Sequence, residues 1–174
     1  MHHVTMPVEV VVTQLPIEQW QRLRDLRLRS LKENPEAFGG VFEIEEVKTE
    51  TEWRSKFEKL VYLAASIDGN DVGLMSIEVL DGDHGATCWV GGCWTDSRFR
   101  GQGVLRALFG FVDLHANDNG WQRQGLGVWA DNFTAIAAYE ALGFAATGEQ
   151  KASDRQPGRF YIHMVRDATA QINR

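Results

Sequence analysis

The spacing of apolar residues divides the first half of the chain into short strands and helices. Residues 8–13 are rich in β-branched side chains and predict a strand. Leucines at helical spacing predict an amphipathic helix over residues 17–32, and a second apolar face predicts another over 49–60. Two apolar stretches, 61–67 and 72–80, flank an Asp-Gly-Asn turn, so they predict a β-hairpin.

The second half of the chain alternates strand and helix patterns. Residues 86–94 favour a strand, and apolar residues at helical spacing follow it. The next strand, 125–130, should run parallel to the 86–94 strand because a helix crosses between them. One more helix, closed by Gly143, precedes a terminal strand pair over 145–150 and 159–165.

Length and composition are those of a soluble globular protein with one α+β domain over residues 1–174, since 44% of residues are apolar and 24% charged. Eighteen basic and twenty-four acidic side chains leave a net charge of −6, which argues against nucleic acid as the main partner. The sequence contains neither an apolar run of membrane-spanning length nor a signal-peptide pattern. It therefore predicts a cytoplasmic protein without membrane contact.

Cys88 and Cys93 are the only cysteines of the chain. If both lie on one strand, they are roughly 16 Å apart, which is beyond the reach of a disulfide. Their odd spacing sends them to opposite faces of the strand. We therefore expect two reduced thiols whose role is packing rather than catalysis.

A glycine-rich turn between the 86–94 strand and the next helix is the main candidate for a binding site. Backbone N–H groups at a helix start carry the positive end of the helix dipole, and Gly101 and Gly103 let a ligand approach the backbone closely. Arg98 and Arg100 add charged donors. The turn therefore predicts a phosphate site, although it is no Walker loop, and the alternative is a tight turn with solvated arginines.

A second motif follows about thirty residues later, in the pattern Asn-x-x-Ala-x-x-x-Tyr-x-x-x-Gly-Phe. Its residues are Asn132, Ala135, Tyr139, Gly143 and Phe144. Together with the Arg-x-x-Gly-x-Gly turn, it resembles the GNAT superfamily of acyl-CoA-dependent N-acetyltransferases. The resemblance covers nearly the whole chain. It implies a mixed central sheet of about six to seven strands, flanked by about four helices and splayed between the fourth and fifth strands.

The resemblance implies acetyl-CoA as co-substrate, no metal, and roles for residues of both motifs. A backbone N–H near Cys93 or Trp94 would polarise the thioester carbonyl, and Gly91 and Gly92 would permit the bulge that turns it outward. Tyr139 is implied as the acid for the departing thiolate. The residues implied in coenzyme binding are Cys93, Trp94, Thr95, Arg98, Arg100, Gly101, Gln102, Gly103, Val104, Leu105 and Asn132. Asn132 can also cap its helix.

The base that takes the amine proton is left open by the pattern. Glu78, on the strand before the central one, is the preferred catalytic candidate. Asp96, Glu43, Glu45 and a chain of water molecules are the alternatives. Two positions depart from the family pattern: Leu105 stands where many relatives have a small residue, and Asp96 replaces a frequent proline and places a carboxylate near an anionic ligand.

Two groups of residues in the first half of the chain are candidates for the site that binds the amine acceptor. Phe38, Phe42 and Trp53 are implied as candidates for a pocket wall, with ordinary core packing as the alternative and the preferred reading for Trp53. The 17–32 helix has a basic outer face, which is either solvated or a rim that meets an acidic substrate or partner. That face consists of Arg22, Arg24, Arg27 and Arg29.

The predicted function is acetyl transfer from acetyl-CoA to a primary amine by direct attack in a ternary complex. The acceptor is a small molecule or a peptide or protein N-terminus, and its identity is left open, as is the use of longer acyl donors. A non-catalytic acyl-CoA-binding sensor or regulatory module is the alternative, followed by an interaction domain with a vestigial pocket. A homodimer is compatible with the sequence.

Overall fold

The computed structural model describes residues 8–169 and consists of one mixed eight-stranded sheet with helices on both faces. Of the predicted domain 1–174, residues 1–7 and 170–174 lie outside the described part. The strands are β1 (Val11–Gln14), β2 (Leu60–Ile67), β3 (Asn70–Val79), β4 (Cys88–Thr95), β5 (Arg123–Trp129), β6 (Ala145–Ala146), β7 (Lys151–Ala152) and β8 (Phe160–Asp167). The helices are α1 (Trp20–Glu33), α2 (Phe42–Glu46), α3 (Glu50–Ser55), α4 (Val104–Leu114), α5 (Ala116–Asn119) and α6 (Phe133–Ala141).

The strand order confirms the predicted mixed sheet. Strands β1 to β4 are successive antiparallel neighbours, β5 runs parallel to β4, and β8 lies antiparallel between β5 and β6. The terminal pair differs from the expected continuous one. Ala145–Ala146 and Lys151–Ala152 pair with different parts of β8, and the chain leaves the sheet between them. The two short strands raise the strand count to eight.

Local chemistry explains the helices on the acceptor side. Thr49 caps α3 through a capping box with Glu52. The helix is shorter than predicted because a 3-10 turn, Lys56–Glu58, leads directly into β2. The helix α2 was not predicted, since the stretch before it is rich in glycine.

Two apolar cores lie on opposite faces of the sheet. One packs α4 against the sheet through residues such as Met75, Leu108 and Phe109. The other packs α1 and α3 through residues such as Leu26 and Trp53, which is fully buried. Trp53 is therefore a core residue, as preferred from the sequence. Complete burial of one such large side chain stabilises the fold by about 2 kcal/mol.

Strands β4 and β5 separate soon after they begin. They pair at Cys88 with Gln124 and at Trp89 with Gly125, whereas β4 continues to Thr95 and β5 to Trp129. This geometry confirms the predicted splay between the fourth and fifth strands. The unpaired strand ends leave room for a ligand between α4 and α6.

A β-bulge interrupts β4 beside this opening, as the paired glycines predicted. Leu74 pairs with Trp94 and Ser76 pairs with Gly91, so β4 contains one extra residue there, and Gly92 has a φ of +57°. The bulge reverses the alternation of side chains after it. Cys93 therefore packs against the same core as Cys88, and the prediction that the two cysteines face opposite sides is wrong. Both thiols are free.

Candidate active site

An open cleft of about 710 Å³ lies between the separated strands β4 and β5 and the helices α4 and α6. The cleft brings together most of the residues that the two motifs implicated. The predicted residues that line it are Cys93, Trp94, Thr95, Arg100, Gly101, Gly103, Val104, Leu105, Asn132 and Tyr139. A stretch of β4, a turn and a helix more than thirty residues later thus contribute to one site.

The turn before α4 leaves backbone donors open toward the cleft. Gly101 and Gly103 have φ angles of +77° and +82°, and a Cβ added at either glycine would meet no atom within 4 Å. The first hydrogen bond of α4 runs from the Ala107 N–H to the Gly103 carbonyl. The N–H groups of Val104 and Leu105 precede it, so they have no partner within the helix. The arrangement suits an oxygen-rich anion.

Leu105 does not close the cleft although it is larger than the residue expected there. Its side chain is partly buried against the core under α4, and it forms part of the cleft wall. The preceding Val104 is fully buried and anchors the first turn of the helix. The helix start is therefore held by apolar packing against the core.

Arg98, a predicted coenzyme-binding residue, does not line the cleft and is bound to Asp96. Its Nε and Nη2 donate to the Asp96 carboxylate at 3.2 and 2.8 Å, and Arg29 of α1 donates to the same carboxylate at 2.8 Å. These bonds, with Arg98 first, lower the pKa of Asp96 to about 2 although burial opposes the shift. Asp96 thus stays charged and balanced by two arginines. Gln102 is exposed and does not line the cleft either.

Tyr139 and Cys93 are neighbours at the narrow part of the cleft. Burial raises the pKa of the Tyr139 hydroxyl well above its usual value, and the adjacent Cys93 thiol raises it further. Burial also raises the pKa of Cys93. The rings of Phe109 and Phe144 pack edge-on against Tyr139, with ring centroids 6.4 and 5.7 Å away. Tyr139 is therefore a fixed, protonated phenol at neutral pH.

Asn132 caps α6 and also borders the cleft. Its side-chain oxygen accepts a hydrogen bond from the Ala135 N–H at 3.2 Å. The side-chain amide nitrogen is left for a further partner. Small side chains on the next turns of α6, Ala135 and Ala138, line the same cleft and leave space within it.

The candidate bases lie in different environments. Glu78 is half-buried on β3 and does not border the cleft, and Glu43 is exposed on α2. Glu45 is buried and accepts two hydrogen bonds from Arg27, at 3.0 and 3.1 Å. Asp96 has a low pKa and two arginine partners, so it is a poor proton acceptor.

The arginines of α1 are held by carboxylates of neighbouring elements rather than forming a simply solvated face. Arg22 binds Asp71, Arg27 binds Glu45 and Arg29 binds Asp96. Arg24 is the exception, because it donates to a backbone carbonyl of α2 and its salt-bridge partner is an exposed neighbour in α1. Of the predicted wall residues, Phe38 lines the cleft, whereas Phe42 packs on the adjacent core.

The second wall of the cleft was missed in the residue-level prediction. It is formed by the end of β5, where Leu126, Gly127, Val128 and Trp129 line the opening. The guanidinium of Arg159 lies 3.9 Å from the Trp129 ring centroid and donates to the Glu36 carbonyl, which ties the loop before β8 to the loop after α1. The predicted parallel pairing of β4 and β5 could have identified this wall. The carboxyl ends of parallel strands meet at one edge of a sheet, so the end of β5 lies on the same side as the predicted site at the end of β4.

Within residues 8–169, no group of three or more His, Cys, Asp or Glu side chains is placed to hold a metal ion. Over the same range, the structure has no helix with the length and apolar character that crossing a membrane requires.

Comparison with known proteins gives a family and a common fold. The model of the family described as Acetyltransferase (GNAT) family matches residues 20–144. None of the curated protein sequences compared with the chain matches it.

Solved structures share the fold at low sequence identity. The ribosomal-protein-S18-alanine N-acetyltransferase of Escherichia coli is 18% identical, with a TM-score of 0.65 over 94% of this chain and 96% of that one. A GNAT-family acetyltransferase of Streptococcus pneumoniae is 15% identical, with a TM-score of 0.69 over 92% and 100%. YncA of Salmonella typhimurium, solved with its cofactor acetyl-CoA, is 13% identical, with a TM-score of 0.69 over 95% and 98%.

Proposed function

The chain belongs to the acetyltransferase (GNAT) family, and on that premise we propose that it transfers the acetyl group of acetyl-CoA to the nitrogen of a primary amine. The amine belongs to a small molecule or to a peptide or protein N-terminus. The observation that carries the proposal is the single cleft in which the open backbone donors of Gly101–Leu105 and the hydroxyl of Tyr139 occur together. Cytoplasmic location and a homodimer stay predictions from the sequence.

The residues of the cleft fit an elongated thiol ester with a diphosphate. The turn at Gly101 and Gly103 offers backbone N–H groups and open space for the diphosphate, and Arg100 adds positive charge beside it. Between the strands, the exposed backbone of Cys93–Thr95 suits the extended pantetheine arm, with the free amide nitrogen of Asn132 on the opposite wall. The YncA structure, which shares the fold, was solved with acetyl-CoA.

Acetyl-CoA supplies the acetyl group in an activated form, as a thioester. The bulge at Gly92 frees β4 backbone from its regular pairing with β3, so an N–H near Cys93 can donate to the thioester oxygen as negative charge develops there. One such preorganised donor contributes about 3 kcal/mol to lowering the barrier.

Tyr139 supplies the proton for the departing sulfur. As the amine nitrogen forms the new C–N bond, the C–S bond breaks and its electron pair goes to sulfur. The Tyr139 hydroxyl donates its proton to that sulfur, and the proton released by the nitrogen restores the phenol through water. The raised pKa keeps the phenol protonated between turnovers.

The amine must also lose the extra proton of its ammonium form before it attacks, and for that proton we keep Glu78 as the candidate base, acting through water. Glu78 lies two residues beyond Ser76, which pairs with Gly91 at the bulge. Two strand residues span roughly 7 Å, so the carboxylate is too far for direct contact with a nitrogen at the bulge and close enough for one or two bridging waters. Glu43 and Glu45 are less suited, because Glu43 is exposed on α2 and Glu45 is bound to Arg27.

The test is release of free thiol from acetyl-CoA in the presence of a panel of primary amines, followed by mass spectrometry of the product. We expect amine-dependent thiol release and a product heavier by one acetyl group. Coenzyme binding without turnover on any amine would instead favour a non-catalytic sensor. Absence of coenzyme binding would refute the proposed use of the cleft.

A further inference from the structure

On the α1 side of the bulge, Arg27 has one guanidinium nitrogen, Nη1, that binds no acceptor within residues 8–169. Arg27 reaches from α1 toward β4, and its Nη1 lies 3.5 Å from the position that a Cβ would take on Gly92. The Ser76 hydroxyl is 4.0 Å from the same position. Arg27 therefore faces the segment of β4 beside which the proposed reaction takes place.

The orientation of Arg27 is fixed by Glu45. Nε and Nη2 donate to the two carboxylate oxygens of Glu45 at 3.0 and 3.1 Å, which holds the guanidinium plane in one direction. The Phe38 ring, which lines the cleft, lies 5.6 Å from the guanidinium carbon. Among residues 8–169, no acceptor binds Nη1 of Arg27, so its two N–H groups are available to a ligand.

The loop after α1 is shaped to accommodate this ion pair. A Cβ on Gly40 would overlap both the Glu45 carboxylate and Nη2 of Arg27, so this position accepts no side chain while the pair is in place. On the adjacent Gly39, the space for a Cβ is bordered by Nη1 of Arg155 at 3.3 Å. The glycine pair therefore leaves space for the guanidinium groups of Arg27 and Arg155 beside the loop that contains Phe38.

Two further basic side chains lie near the Arg27–Glu45 pair, although the whole chain has a net charge of −6. Lys48 and Lys56 both lie over the Trp53 ring, with Nζ 6.0 and 5.4 Å from its centroid. Burial, followed by the charge of Lys48, lowers the pKa of Lys56 to about 8, against the opposing influence of Glu45. One carboxylate thus faces three basic side chains in this region, which favours an anionic ligand.

We infer that Arg27 binds a carboxylate of the acceptor, so that the preferred acceptor is a small amine with an acid group close to its nitrogen, as in an α-amino acid, rather than a peptide N-terminus. The inference rests on the proposed function. A carboxylate held at Nη1 places a nitrogen one or two carbons away beside the Gly92 bulge. A peptide N-terminus offers a neutral carbonyl there, and a hydrogen bond to a neutral group is weaker than one to a charged group.

The first test compares acceptors that differ only in the acid group. Acetylation of L-leucine is measured against 3-methylbutylamine and L-leucinamide, and L-phenylalanine against 2-phenylethylamine and L-phenylalaninamide. For at least one series, we expect kcat/KM to be about tenfold or more higher for the acid. Equal or higher kcat/KM values for the acceptors without an acid group in both series would overturn the inference. Such a result would leave the proposed acetyl transfer to amines intact.

Variants then assign the preference to Arg27. Because Arg27→Gln alone leaves the buried Glu45 without a partner, the double variant Arg27→Gln with Glu45→Gln removes both charges together. In this double variant, we expect the kcat/KM of the amino acid divided by that of the matching amine without an acid group to fall to about 1. Coenzyme affinity should not change. Arg24→Gln, on the exposed part of the same helix, is the matched control and should keep the ratio. A double variant that also keeps it would contradict the role of Arg27.

A binding measurement makes the inference independent of turnover. With coenzyme A bound, N-acetylglycine is titrated against the protein while the Arg27 Nε–H resonance and the Gly92 amide are followed by NMR, and N-acetylglycinamide serves as the neutral control. We expect both resonances to shift with the acid alone. Shifts without acetylation of any amine would refute the proposed function while supporting the carboxylate site. Unmoved resonances at tens of millimolar acid would refute the site.

Discussion

The two sides of the cleft are built in different ways. The proposed coenzyme side consists mainly of backbone from two local stretches, the bulge and turn over 91–105 and the start of α6. The proposed acceptor side depends on side chains from separate elements: Phe38 lines the cleft, and the pair of Arg27 from α1 and Glu45 from α2 lies beside it. A diphosphate can be held by backbone donors, whereas recognition of one amine among many needs side chains. Substitutions should therefore affect coenzyme binding and acceptor choice separately.

The largest effect is expected at the point where the two sides meet. In Tyr139→Phe, kcat should fall roughly 10³-fold because the departing sulfur loses its proton donor, while coenzyme affinity stays within about twofold. Steady-state kinetics and calorimetric titration measure the two quantities. Tyr161→Phe, on β8 and outside the cleft lining, is the control and should retain full turnover. An unchanged kcat in Tyr139→Phe would remove the residue from the mechanism.

The coenzyme side is tested on its own by Gly103→Glu. The new side chain would occupy the open space at the turn and place a carboxylate beside the diphosphate, so coenzyme affinity should fall about 100-fold or more by calorimetry. Gly69→Glu is the matched control: Gly69 has a φ of +79° and open surroundings in the β2–β3 hairpin, away from the cleft. The two variants should lose similar stability through the strained backbone. Equal coenzyme affinity in both would place the diphosphate elsewhere.

Asp96 connects the two sides, because Arg29 of α1 and Arg98 of the turn share its carboxylate. Asp96→Asn should lower the free energy of unfolding by about 2 kcal/mol at pH 7, less than for a fully buried pair because both arginines are partly exposed. Urea denaturation measures the change. Asp25→Asn, in an exposed pair with Arg24, should change stability by less than about 0.5 kcal/mol.

The stability difference between Asp96→Asn and the wild type should depend on pH in one direction. The pKa of Asp96 is about 2 in the folded chain and roughly 3.9 when unfolded, so the folded state favours the charged carboxylate. Its contribution is complete above about pH 4 and disappears as the pH falls through 2. A difference that stays constant from pH 7 to pH 2.5 would show that the ion pairs do not contribute.

The smallest effect is expected at Glu78 on the acceptor side. If water passes the amine proton to this carboxylate, Glu78→Gln should lower kcat/KM about fivefold at pH 7, without a change in coenzyme affinity. Glu58→Gln, on the exposed turn before β2, is the control. A fall of more than 100-fold would mean that Glu78 contacts the amine directly, and an unchanged value would exclude it.

The sequence predicted which residues of the turn and of α6 line the cleft, but it did not predict the contacts beside α1, and the reason is physical. Backbone donors, glycines with positive φ and a cap such as Asn132 are local features, so their pattern is visible in consecutive residues. The Arg27–Glu45 pair joins residues 18 positions apart across an unpredicted helix, and no periodicity reveals it. A bulge was expected at Gly91 and Gly92. The prediction that Cys88 and Cys93 face opposite sides nevertheless assumed an uninterrupted strand, and the bulge reverses the alternation before Cys93.

The proposed mechanism depends on one arrangement, a diphosphate at the turn before α4 with the thioester beside Tyr139. A crystal structure of the protein with bound acetyl-CoA tests it most directly. We expect diphosphate oxygens about 3 Å from the backbone nitrogens between Gly101 and Leu105, and the coenzyme sulfur within hydrogen-bonding reach of the Tyr139 hydroxyl. A diphosphate bound away from this turn, or a sulfur more than about 6 Å from Tyr139, would contradict the proposed mechanism.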